Sequence, residues 1–84
     1  MDNVLIIGAG AAGSVVAQKC AMDRDTFKHI HLASRRLESC EKVAKLCQTP
    51  IEISQVDADN VAEVVALINK VKPDLLINMA LPYQ

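Results

Sequence analysis

Three things are scarce in this 84-residue sequence: net charge, long apolar runs and cysteines in pairing or metal-binding patterns. Nine lysines and arginines against ten aspartates and glutamates leave a formal net charge of −1. Nucleic acid and anionic membrane surfaces call for a strong basic excess, so neither is an expected partner. No apolar run approaches the ~20 residues of a membrane span. The opening VLII is too short for the apolar core of a secretory leader and runs straight into glycines, so no leader is expected. Cys20, Cys40 and Cys47 are odd in number, without C-x-x-C spacing or a histidine at ligand distance. They read as small hydrophobes on inner helix faces, reduced and cytoplasmic, with no metal. Repeats, low-complexity tracts and linkers are missing too. A chain of this length is one small domain that buries roughly 60–65% of its unfolded surface.

What is present alternates between two periods. NVLIIG is a short, wholly apolar strand signal, followed by AAGSVVAQKCAMD, where Val15, Val16, Lys19 and Cys20 have helical spacing. HIHLAS is a second strand, and Leu37, Cys40, Val43, Ala44 and Cys47 recur as in a helix. Behind Pro50, PIEISQVD is a third strand. Val61, Val64, Val65, Ile68 and Val71 form the next apolar stripe, opened by Asn60 and Glu63 at capping-box spacing. PDLLINMA is a fourth strand, apolar enough for burial on both faces. The order β-α-β-α-β-α-β predicts right-handed crossovers and a parallel Rossmann-type α/β sheet, helices on both faces and strands in the order 3-2-1-4. Residues 1–84 then form the N-terminal part of a dinucleotide-binding domain, truncated after the fourth strand, whose apolar edge invites a homodimer.

The most informative absence lies inside a motif. VLIIGAGAAG carries G-x-G-x-x-G directly after a strand and at the start of a helix, the context that gives this otherwise weak pattern meaning. Gly8 permits the tight turn, Gly10 lets a pyrophosphate approach the backbone, and Gly13 lets the helix pack near the sheet. The helix N-terminus adds free N–H groups and positive dipole. About twenty residues on, where ribose hydroxyls usually meet Asp or Glu, the sequence reads Ser34, Arg35, Arg36. A carboxylate repels a 2′-phosphate; a hydroxyl and guanidinium groups bind it. The expected cofactor is therefore NADP(H). The alternative is that Ser34 caps the second helix and the arginines are surface charges.

Asp57 and Ala58 end the third strand where such folds pass the adenine, and Asp57 is placed to accept from its amino group or to cap a turn. Asp59 and Asn60 read as turn and cap residues. Asn78, Met79, Ala80 and Leu81 end the fourth strand at the switch point, so MALPYQ should face the second half of the cofactor. His29 and His31 have no acid or cysteine partner in sequence and read as ordinary strand residues.

VLIIGAGAAGSVVAQKCA, HLASRR, VDADN and KPDLLINMALPYQ, in this order, resemble the N-terminal region of the saccharopine dehydrogenase family, nearest to its carboxynorspermidine dehydrogenase branch. The resemblance implies an NADPH-dependent oxidoreductase of CH–NH bonds that joins a small-molecule aldehyde and amine by reducing their imine. In that branch it implies carboxynorspermidine or carboxyspermidine, made from aspartate semialdehyde; in the saccharopine branch the amine is an amino acid. It also implies Gly8, Gly10, Ala11, Ala12 and Gly13 at the pyrophosphate, Ser34 and Arg35 at the 2′-phosphate, and Asp57 and Ala58 beside the adenine. Ala80, Leu81 and Pro82 would point towards the nicotinamide. The family's substrate domain is not in these residues, which alone are expected to be inactive. A nucleotide-sensing module without catalysis shares the same loop and is the competing expectation.

Overall fold

The computed structural model describes residues 3–23, 25–47 and 49–79. Seven elements alternate along the chain: β1 (Asn3–Ile7), α1 (Ala11–Met22), β2 (His29–Ser34), α2 (Leu37–Leu46), β3 (Glu52–Gln55), α3 (Val61–Val71) and β4 (Leu75–Asn78). The strands form one parallel sheet in the order β3-β2-β1-β4, as the sequence predicts. In register, Ile7 pairs with Ala33 on one side and Asn78 on the other, so the ends of β1, β2 and β4 lie together at one sheet edge. Chain direction reverses its sideways march between β1 and β4, and a crevice opens there in folds of this kind.

β1 is central because it is apolar on both faces. Val4 and Ile6 join Ile30 and Leu32 beneath α1 and α2, against Ala17, Cys20, Ala21, Cys40 and Val43. Leu5 and Ile7 point the other way and meet Ala33, Val56 and Leu67. All four β1 side chains are buried, each contributing about 1.5–3 kcal/mol as an upper figure. The described cysteines are free thiols, two buried and Cys47 partly so. Burial raises the Cys20 pKa, helped by Asp23 and Cys47, and burial raises that of Cys47.

Two helices bury a different stripe from the predicted one. On α1 the buried positions are Gly13, Ala17, Cys20 and Ala21, while Val15 is half exposed. Small residues face the sheet because the helix starts close to it; branched side chains there would push it away. On α3 the inward residues are Val64, Leu67, Ile68 and Val71, and Val61 and Val65 face outward. α3 packs over β1 rather than β4. Leu76 of β4 is consequently exposed, although Leu75 and Ile77 pack on the opposite face, so the expected two-sided burial of β4 is reached on one side only.

The α3 cap is as predicted in position and richer in contacts. Asn60 Oδ1 accepts the Glu63 N–H at 3.3 Å, and the Glu63 carboxylate accepts from Asn60 Nδ2 at 3.0 Å and from the Asp57 N–H at 3.1 Å. The other end of α3 closes on Lys72, a left-handed residue at φ 52° whose N–H reaches the Ile68 carbonyl at 2.7 Å. Asn3 then ties the turn to the start of β1, its N–H donating to the Asp74 carboxylate at 3.0 Å.

His31 is less ordinary than its sequence context suggests. It is 7% exposed, with Nε2 2.6 Å from Ser54 Oγ and Nδ1 3.4 Å from Glu52 Oε2. A proton on Nδ1 facing the carboxylate leaves Nε2 to accept the serine hydroxyl, so the neutral imidazole satisfies both partners. Burial lowers its pKa, with Glu52 opposing and Lys70 assisting.

Candidate functional site

The strand ends and the loops that follow them surround a cleft of about 460 Å³, within the usual size of small-molecule sites. One wall is the turn from β1 into α1. Gly8 has φ 108°, a conformation that disfavours any side chain, and its N–H donates to the Ala33 carbonyl at 2.7 Å. Gly10 is the N-cap of α1, and a Cβ built on it meets nothing within 4 Å. That open space is where a ligand backbone can come close. Gly13 answers the opposite need: a Cβ there would overlap the Gly8 carbonyl oxygen.

α1 begins without a side-chain cap and without an acid in its first turn. Its first intrahelical bond runs from the Ser14 N–H to the Gly10 carbonyl at 2.8 Å, leaving the N–H groups of Ala11, Ala12 and Gly13 ahead of it. Uncapped donors and an uncompensated dipole at a glycine turn suit a phosphate.

The facing wall comes from the end of β2. Ser34 is buried, and its hydroxyl donates to the Arg36 carbonyl at 2.9 Å while accepting the Arg36 N–H at 3.2 Å. This turn, rather than a helix cap, occupies its one hydroxyl proton; Arg36 itself is the N-cap of α2. The Gln55 side-chain amide donates to the Arg35 carbonyl at 3.0 Å and fixes the backbone there. Arg35 extends over the cleft mouth, where Nη2 lies 3.3 Å from Asp57 Oδ1 and 3.2 Å from Asp59 Oδ2. Asp57 Oδ1 also accepts the Asp59 N–H at 3.0 Å. That amide holds the Asp57 carboxyl below the ordinary carboxylate range, slight desolvation opposes it, and Arg35 adds to the lowering.

Among the sequence-predicted residues, Gly8, Gly10, Ser34, Arg35, Arg36 and Ala58 line this one cleft. Ala11, Ala12 and Gly13 stand behind the turn with their amides, and Asp57 stands beside Asp59 at the rim. Ala80, Leu81 and Pro82 lie outside the described residues. Sequence reasoning missed Ala9, Ser39, Val56 and Asp59, all of which line the cleft. Ser39 was legible in principle, since the third residue of a helix starting at Leu37 must sit near the end of β2.

These features fit a dinucleotide bearing an extra phosphate: open backbone at Gly10, unpaired amides on α1, and two arginines with no acid at the end of β2. A family model described as the saccharopine dehydrogenase NADP binding domain matches residues 4–84. The chain belongs to the saccharopine dehydrogenase family. Within that family, this stretch is the NADP(H)-binding domain. Curated relatives include the carboxyaminopropylagmatine dehydrogenase of Synechocystis, 46% identical over the whole chain and 21% of its own length. The carboxynorspermidine synthase of Vibrio cholerae is 41% identical over 96% of the chain and 22% of its own length. The chain thus spans about a fifth of these enzymes. Among solved structures, an uncharacterised protein from Mycobacterium paratuberculosis superposes with a TM-score of 0.74 at 24% identity. That match covers all of this chain and 32% of the other. Protein Rv1636 from Mycobacterium tuberculosis gives 0.61 at 16% identity over 92% of this chain and 69% of its own. These two likenesses are of fold. The saccharopine dehydrogenase family is one of oxidoreductases. Among the described residues no helix is long and apolar enough to cross a membrane, and no group of metal-binding side chains converges.

Proposed function

We propose that this domain serves an NADPH-dependent oxidoreductase that condenses an aldehyde with an amine and reduces the product imine, acting on a CH–NH bond. The observation that carries the reading is the junction of the Gly8–Gly10 turn with Ser34, Arg35 and Arg36 in one cleft, with no carboxylate at the end of β2. The amides of Ala11, Ala12 and Gly13 orient the pyrophosphate at the N-terminus of α1. Arg35 and Arg36 hold the 2′-phosphate, and Ser34 supports them by fixing the turn, joining the phosphate only by giving up its bond to the Arg36 carbonyl. Asp57 receives the adenine amino group on Oδ2, the oxygen that Arg35 and the Asp59 amide leave untouched, while Ala58 packs beside the ring. Bound NADPH supplies the hydride that turns the imine into a secondary amine.

We assign the substrate side to the remainder of an enzyme as long as the relatives. The relatives' names point to an amine that carries a carboxyl-bearing aminopropyl arm. The homodimer is proposed to form outside this cleft. The test is NADPH oxidation by the full-length enzyme with aspartate semialdehyde and, in turn, a diamine, agmatine or an amino acid. Oxidation that requires both aldehyde and one amine is expected. No oxidation with any pair, or equal use of NADH, would overturn the reading.

A further inference from the structure

Arg35 meets two carboxylates that are built differently. Asp57 is fixed from both sides: its Oδ1 accepts the Asp59 N–H, and its own N–H donates to Glu63 Oε1 at 3.1 Å. The Asp59 carboxylate touches Arg35 and no other side chain among the described residues, and it is 79% exposed. Asp59 also lines the cleft, facing the space that Arg35 and Arg36 border. Both ion pairs use the same guanidinium nitrogen, Nη2, which leaves Nε and Nη1 able to donate elsewhere.

We propose that Asp59 is a displaceable counter-ion for Arg35, holding the guanidinium at the cleft mouth until the 2′-phosphate of NADP(H) takes its place. The proposal rests on the reading that Arg35 binds that phosphate. A 2′-phosphate arriving at Arg35 adds up to two negative charges beside two carboxylates already there, and Asp59 is the one with no other side chain or amide to hold it. Asp57 keeps its amide and its rim position throughout, so Arg35 retains one anchor while the other is exchanged. Asp59 therefore acts as a positioning residue that moderates affinity for NADPH and leaves NADH alone. An exposed ion pair is worth up to about fivefold in an equilibrium constant, which bounds the effect.

The test uses the full-length enzyme and dissociation constants for NADPH and NADH, read from cofactor fluorescence in four proteins: the parent, Asp59→Asn, Arg35→Ala and the double variant. Asp59→Asn is expected to tighten NADPH about two- to fivefold, with NADH unchanged, and the gain should vanish when Arg35 is alanine. Raised salt should shrink the gain, since it screens the displaced pair. Unchanged or weaker NADPH binding in Asp59→Asn, beside a selective NADPH loss in Arg35→Ala, would overturn the proposal while leaving the role of Arg35 intact. Equal tightening of both cofactors, or the same gain without Arg35, would also overturn it. Equal loss of both cofactors in Arg35→Ala would instead remove the underlying reading, and the proposal with it.

Discussion

Gly13 packs so closely on Gly8 that the carbonyl oxygen of Gly8 occupies the volume a Gly13 side chain would need. Gly10, two residues from Gly8, has the opposite surroundings, with open space where its side chain would be. The same three-glycine motif thus contains one residue that the packing requires and one beside which the packing leaves open space. Gly13→Ala should lower unfolding free energy by about 1–3 kcal/mol, the usual cost of overpacking. Gly10→Ala should stay within about 1 kcal/mol of the parent, since only its N-cap preference suffers, yet weaken NADPH and NADH alike. Urea unfolding and cofactor titration of the two variants check both halves; a stable, binding-competent Gly13→Ala would refute the packing argument.

Arg35→Ala should separate the cofactors. Removing charge-assisted contacts to the 2′-phosphate costs about 1.5–3 kcal/mol, or roughly ten- to hundredfold in NADPH affinity. NADH has no such phosphate and should change little. Fold stability should barely move, because the ion pairs of Arg35 are exposed and such pairs contribute about 0–1 kcal/mol. Parallel titrations with NADPH and NADH are the measurement, and equal losses would make the arginine structural.

His31 predicts a pH dependence with a definite sign. Burial lowers its folded pKa, so between pH about 6.5 and that lower value the unfolded chain binds a proton that the folded chain refuses. Its contribution is fully present above pH 6.5 and is lost as the pH falls. Asp57, also lowered, acts only below its ordinary value of 3.8, outside the range from pH 7.5 to 5.5. Urea midpoints should decline from pH 7.5 to 5.5 in the parent, and more gently in His31→Gln. Parallel slopes would assign the decline to another group.

The cap of α3 offers a link between helix and site. Asn60→Ala should cost about 1 kcal/mol of stability through the lost bond to the Glu63 amide. Glu63→Ala removes in addition the acceptor of the Asp57 N–H, so it should also weaken NADPH and NADH together by loosening the adenine side. Chemical denaturation paired with titration distinguishes a pure stability loss from one shared with binding.

Strand order, the glycine turn and the α3 cap were legible because each rests on neighbours in sequence or on an alternation of periods. The inward faces of α1 and α3 were not. In α3, apolar residues occupy so many positions that periodicity identifies a helix without fixing its phase, and Leu67, the most buried residue on it, lies outside the predicted stripe. In α1 the sheet-facing residues are small, and a search for large hydrophobes selects Val15 instead. The Arg35 contacts were invisible for another reason: Asp57 and Asp59 stand 22 and 24 residues away, and only the packing of β3 beside β2 brings them near.

The strand at the middle of the sheet is the first to be made. β1 closes on β4 through Asn3 and Asp74, 71 residues apart, so its second edge stays without a mate until nearly the whole segment has left the ribosome. At about 5–20 residues per second that wait lasts about 4–14 s. Its other edge is claimed much sooner, by β2, and α1 can settle on one face meanwhile. During synthesis the chain therefore carries a half-finished sheet whose most apolar strand is exposed along one side, the interval in which a chaperone or a neighbouring nascent chain has most to grasp.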